Sequence, residues 1–195
     1  MPKLTHEKLF SLEHYARVRS QFRDQVMAHK KDRRLAFGDH AALYFEDALT
    51  MKYQVQEMLR LERIFEPDLI QAELDVYNPL IPDGQNWKAT FMIEYADPKE
   101  RHTALAKLTG IEDKVWVSVK GHKVYAIANE DIPRSRADKT AAVHFLRFEF
   151  PLEICGDIKA GAPITAGIDH PAYKIEVVMP ENVRNSLAAD LTFVP

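Results

Sequence analysis

The sequence predicts a single α+β domain over residues 1–195, an antiparallel or mixed sheet with helices packed on it. Three observations carry that prediction. The chain is long enough for one substantial core and only marginally long enough for two. Segments with helical apolar spacing are interleaved with short runs rich in β-branched and aromatic residues. Most of those runs come as adjacent pairs around glycine, which favours hairpins over the crossovers of a parallel sheet.

The elements follow in order. Residues 11–30, "SLEHYARVRSQFRDQVMAHK", place Tyr15, Val18, Phe22 and Val26 on one stripe behind Ser11 as N-cap. "RLAFGDHAALYFED" holds two apolar runs split by Gly38-Asp39, a turn that would present His40. A helix runs from about Leu49 to Phe65, stopped by the restriction that Pro67 imposes on its predecessor. "PDLIQAELDVY" is a second helix with proline in its first turn. "NPLIPDGQNWK" is loop, "WKATFMIEY" a strand, and "DPKERHTALAKLTG" a helix closed by Gly110. "KVWVSVKGHKVYAIANED" reads as a hairpin around Gly121-His122. "AAVHFLRFEF" is a strand, a short helix follows from Pro151, and "APITAGIDH" with "YKIEVVMP" forms a last strand pair. "PENVRNSLAADL" closes as a helix with Val183, Leu187 and Leu191 four apart.

Composition narrows the function classes. With 46% apolar and 28% charged residues, the chain is that of an ordinary globular protein. A net charge of −3 argues against generic nucleic-acid binding, because phosphate rewards a basic surface. No apolar run is long enough for a bilayer span, the first residues lack a secretory pattern, and Cys155 is the only cysteine; a cytoplasmic protein without disulfides is expected. The basic run "HKKDRR", residues 29–34, could meet an anionic partner, its plainer reading being a solvated helix C-terminus. The sequence contains no HExxH, paired CxxC, GxGxxG, GxxxxGK or GxSxG, and no glutamate is followed three residues later by histidine. Common hydrolase, zinc-ribbon, dinucleotide, P-loop and di-iron bundle readings lose their usual support.

One carboxylate stands out. On a helical wheel with Met51 at zero, Val55, Met58 and Phe65 fall within about 40° and Glu62 at roughly 20°. A charge among apolar side chains should be paired, protonated or metal-bound, since leaving it bare costs several kcal/mol. Arg17, Arg34 or Arg147 could be an ion-pair partner. In the strand "AVHFLRFEF", His144 points with Leu146 and Phe148, so His144 and Glu62 could converge. Such a pair, joined by one or more of His40, Glu57 and His170, would suit iron, manganese or zinc, or serve as an acid/base pair.

Five stretches, "HKKDRR", "FEDALTMKYQVQEMLRLERIFEP", "YNPLIPDGQNWKAT", "AVHFLRFEF" and "GIDHPAY", resemble an uncharacterised bacterial family known as a domain of unknown function. The resemblance covers nearly the whole chain and brings no catalytic residues with it. Members tend to be encoded near rubrerythrin-type proteins and an iron-sulfur-binding oxidoreductase. This implies a role around peroxide defence or iron redox chemistry, with one of those proteins as partner. Three readings follow: a metal-binding redox accessory protein, a non-catalytic docking module, and a small-molecule enzyme. The docking module would use its terminal helix, Trp87 or "HKKDRR". The enzyme's pocket would be rimmed by "NPLIPDGQN" and "NEDIPRSRADKT", with Arg134 or Arg136 holding an anionic ligand.

Overall fold

The computed structural model describes residues 3–135 and 138–192. Helix α1 (Leu12–Lys31) opens on Ser11, whose Oγ accepts the His14 N–H, and buries Tyr15, Phe22 and Val26 of the expected stripe. Strands β1 (Arg34–Phe37) and β2 (Ala41–Glu46) form a hairpin. Phe37 pairs with Ala41, leaving Gly38, Asp39 and His40 as the loop, with Gly38 at φ +66°. Helix α2 (Ala48–Glu62) starts with a reciprocal cap between Asp47 and Thr50. It ends three residues before the expected Phe65, because Arg63 turns into the left-handed region at φ 53°. Helix α3 (Pro67–Tyr77) has the expected bounds.

Strand β3 (Asn86–Ile93) is followed by α4 (Pro98–Lys107), capped by the Asp97 carboxylate. Gly110, expected to close that helix, instead opens a short 3-10 turn, Ile111–Lys114. Strands β4 (Val115–Val119) and β5 (His122–Tyr125) pair Val119 with His122. The tight turn is therefore Lys120-Gly121, one residue earlier than expected. Both residues have positive φ, 49° and 83°, the twist that a two-residue hairpin prefers. After β6 (Ile127–Ala128) and a long loop come β7 (Val143–Glu149), α5 (Leu152–Lys159), β8 (Ile164–His170), β9 (Tyr173–Val178) and α6 (Glu181–Ala188).

Two sheets result, ordered β1-β2-β3-β7-β6 and β5-β4-β8-β9, and every pairing is antiparallel. Alternate residues of both sheets supply one apolar core, among them Phe45, Phe91 and Phe148 from the first and Val117, Ala166 and Ile168 from the second. Helices α5 and α6 complete it with Ile154, Ile158, Val183 and Leu187. Trp87 is fully buried there and donates its Nε1–H to the Leu187 carbonyl at 2.9 Å. Trp87 is thus core rather than an exposed docking element, and the terminal helix buries Val183 and Leu187 while Glu181, Asn182 and Asn185 stay exposed. Helices α1, α2 and α3 form a separate layer with two small apolar clusters of their own, around Tyr15, Phe22 and Val26 and around Met51, Val55, Leu59 and Leu74.

The basic run is only partly a solvated face. Arg33 is 2% exposed, and its guanidinium donates to the carbonyls of Phe45 and Glu46 at 3.0 Å, to Ser186 Oγ, and to both carboxylate oxygens of Asp190, the nearer at 2.5 Å. Asp47 lies 3.5 Å from the same group and takes His29 Nε2 at 2.5 Å. This network locks α1, the end of β2, the start of α2 and the chain after α6 together. Removing one partner leaves a buried charge uncompensated, which costs about 3–5 kcal/mol, whereas replacing both with apolar groups is close to neutral. Asp190→Ala is expected to lower unfolding free energy in urea by that amount, and the Arg33→Met/Asp190→Leu double variant to recover only part of it, because the Phe45 and Glu46 carbonyls and Asp47 also lose Arg33.

Candidate functional site

The five expected ligands lie in separate surroundings, each in contact with different partners. Glu62 is exposed. The wheel assigned its azimuth correctly but carries no information on depth along the axis. Leu59 is the last buried residue of α2, and Leu61 beyond it is 63% exposed. Besides Thr50 in the cap, the buried polar side chain of this helix is Gln56, whose amide oxygen accepts the Phe10 N–H at 2.5 Å and whose amide nitrogen donates to the Phe10 carbonyl at 3.3 Å.

Glu57 joins helices. Arg19 of α1 grips both its oxygens at 2.8 Å, and Tyr15 Oη and Arg60 add further donors. The Arg19 guanidinium, then Arg60 and Tyr15, hold its carboxyl down at about 2 against the opposing effect of burial. His40 turns its Nδ1 to the Glu94 carbonyl at 3.0 Å and stacks on Tyr95 at 4.0 Å between ring centroids. His170 accepts the Ala172 N–H on Nδ1 and donates from Nε2 to the Thr109 carbonyl, closing the β8–β9 turn. Among the described residues no three histidine, cysteine, aspartate or glutamate side chains gather as a metal site.

His144 does point inward with Leu146 and Phe148, as the strand alternation requires, and is completely buried. The carboxylate it approaches is Glu112 of the Ile111–Lys114 turn, 3.9 Å from Nε2. Thr140 Oγ1 bridges them, 2.8 Å from Nε2 and 3.2 Å from Glu112 Oε2, while Ser135 Oγ bonds the other Glu112 oxygen. On the far side the Asn129 amide donates to Nδ1 at 2.9 Å, and the Asn129 oxygen accepts the Phe145 N–H. The imidazole is thereby held as the Nε2–H tautomer, and burial pushes it below its ordinary value, so it is neutral at pH 7. The cluster fastens the loop after β6 to the sheet. Nothing in the sequence around Glu112, in "TGIEDK", signals this partner; it is found only through the fold.

That loop walls a cleft on the outer face of the five-stranded sheet. Across β3 and β7, Lys88 stands directly opposite Arg147, with Phe145 beside them. Residues Asp75 to Leu80 of α3 and the turn after it form one wall, Glu130, Asp131 and Arg134 the other, around about 480 Å³. Of the two loops expected to rim a pocket, "NEDIPRSRADKT" supplies the second wall, while "NPLIPDGQN" contributes only Pro79 and Leu80 and the rest of the first wall is α3. Arg134 lies over the Phe145 ring at 4.5 Å and pairs with Asp131 through both its oxygens; Arg136 falls outside the described residues.

Helix α3 turns Ile70, Leu74 and Tyr77 to its own cluster and leaves Leu69, Ala72 and Val76 to solvent at i, i+3 and i+7, with Val76 at the edge shared with the cleft. Phe65, just before the helix, is 64% exposed, Leu69 51% and Val76 63%. Residues 62–76 carry five carboxylates, Glu62, Glu66, Asp68, Glu73 and Asp75, against the single cation Arg63. Partial burial and the charge of Glu62 push Glu73 above its ordinary value, so this is a crowded acidic rim.

A two-sheet α+β protein with closed internal polar clusters and a surface cleft is the class that these features define. The chain matches the family described as "Protein of unknown function (DUF3501)" over residues 3–191 and belongs to it. A crystal structure described as a novel protein of unknown function from Burkholderia pseudomallei K96243 is similar, 51% identical, covering 97% of this chain and 100% of that one with a TM-score of 0.93. No curated protein matches the chain. Among the described residues no helix is long and apolar enough to cross a membrane.

Two outcomes separate Glu62 from Glu57. Glu62→Gln should change unfolding free energy by no more than about 0.5 kcal/mol and leave any bound metal, measured by elemental analysis, unchanged. Glu57→Gln should cost about 1–3 kcal/mol. Because the folded carboxyl titrates below its unfolded value, the contribution of Glu57 is complete above the ordinary carboxylate range and fades as pH falls toward 2. The difference between wild type and Glu57→Gln should therefore shrink in acid melts.

Proposed function

We propose that this chain is a non-catalytic docking module that receives a partner protein on the exposed side of α3. The observation that carries this reading is the exposed apolar stripe of Phe65, Leu69 and Val76, left uncovered by the described residues and set inside an acidic rim. Self-association through this face would bring two acidic rims together. A basic amphipathic helix, laying apolar anchors on the stripe and cations on Glu62, Asp68 and Asp75, meets both chemical demands. The closed hydrogen bonding of His144, Glu57 and Asp190 supports a binding role over a catalytic one, since each is already engaged within the chain.

The redox setting implied by the family resemblance makes a rubrerythrin-type protein and an iron-sulfur oxidoreductase the first partners to try. Immobilised chain is expected to capture one of them, with capture weakening as salt rises. The Phe65→Glu/Leu69→Glu variant should keep the fold, as surface positions do, and lose at least tenfold in affinity. Capture that ignores this double substitution would place docking elsewhere, and absence of capture in every redox state would overturn the reading.

A further inference from the structure

The cleft beneath α3 contains a cation that makes no direct ion pair among the described residues. Lys88 Nζ is partly withdrawn from water, and its one hydrogen bond among the described residues goes to a neutral acceptor, the Pro79 carbonyl at 2.5 Å. An ammonium has three donors. The neighbouring carboxylates are committed elsewhere. Arg147 holds both oxygens of Glu130 at 2.8 Å and also bonds Glu149, Arg134 holds both oxygens of Asp131 at 2.6 and 2.7 Å, and Asp83 accepts from the Gln85 N–H and the Asn86 amide. Burial, and then Arg147 directly across the strand pair, push Lys88 below its ordinary value against the opposing charges of Asp83, Glu130 and Glu149. A cation in this setting is stabilised by any anion that can reach it.

The surroundings restrict which anion that is. Phe145, Leu146, Val76, Tyr77 and Leu80 present hydrocarbon and ring surface to the same space. Its volume of about 480 Å³ falls in the range of about 300–1,000 Å³ typical of small-molecule sites. A dianionic phosphate would sit against Glu130, Asp131 and Asp75, whereas one carboxylate matches the one ammonium.

We propose that this cleft binds a small amphiphilic carboxylate, its head group on Lys88 Nζ and its apolar or aromatic body over Phe145 and Leu146. The head group fills the remaining donors of Lys88 and the body covers surface that water otherwise wets. The loop fastened by Glu112, Ser135, Thr140 and His144 holds the Arg134 side of the site in place before ligand arrives, which lowers the ordering cost of binding.

Octanoate, octanol and octylamine form a matched series of anionic, neutral and cationic probes for calorimetric titration of the full chain. Octanoate is expected to bind at least tenfold more tightly than the other two. Lys88→Met, close in volume to lysine, should reduce octanoate to the affinity of octanol and leave octanol unchanged, and Phe145→Ala should weaken all three. The Phe65→Glu/Leu69→Glu variant, whose substituted residues lie outside the cleft, should bind octanoate like wild type, so loss of docking and loss of ligand are separable. Octanoate binding no tighter than octanol in wild type, a preference that survives Lys88→Met, or no binding by any probe would each overturn the proposal.

Discussion

A guanidinium withdrawn from water cannot shed its proton to escape the cost, so Arg33 must be answered by acceptors from the chain itself. Its acceptors come from the end of β2, from α6 and from Asp190 beyond it, with Asp47 close by at the start of α2. Any arrangement that satisfies all of them fixes the direction in which the chain leaves the sheet at Asp47. That direction sets the course of α2, and the left-handed turn at Arg63 then swings α3 back over the sheet. The cleft and the acidic stripe are both products of this placement.

Local structure was largely legible in the sequence because it rests on short-range rules. Ser11, the prolines at the starts of α3 and α4, and the alternation of "AVHFLRFEF" all act within a few residues. The misreadings share one cause, the need for information from distant parts of the chain. Glu62 has the azimuth of a core residue, but only the packing partners of α2 reveal that the helix outruns them. His144 was legible as a buried polar group, whereas its companion Glu112 sits in a 3-10 turn with no periodicity to announce it. Arg33 looked like one of four solvated cations because its counter-ion lies 157 residues away. The loop that forms the cleft's second wall could be named from composition, yet Lys88 on its floor was invisible, since a lysine on a strand ordinarily points to water.

The polar groups divide into two kinds, and the division bears on function. Those inside the fold, around Arg33, Glu57 and His144, have closed hydrogen bonding and act as fasteners. Those around α3 are open: a ring of carboxylates short of cations on one side, an ammonium without a direct ion pair among the described residues on the other. Unbalanced charge beside exposed hydrocarbon is the physical condition under which association with another molecule becomes favourable. One helix thus separates two surfaces of opposite electrostatic need, a wide one suited to a macromolecule and a narrow one suited to a small ligand.

The helical layer keeps its apolar clusters apart from the core shared by the sheets. Free energy of opening is then unevenly distributed, and the far end of α2 with α3, beyond the bonds that fasten Asp47, Thr50 and Glu57, is expected to open at lower cost than the two sheets. Amide protons of Leu59 and Leu74 would exchange through such excursions, faster than those of Phe91 or Val117, which await global unfolding. The acidic stripe and one wall of the cleft therefore belong to the part of the molecule that opens most readily, while the cleft's floor of Lys88 and Phe145 stays with the sheet.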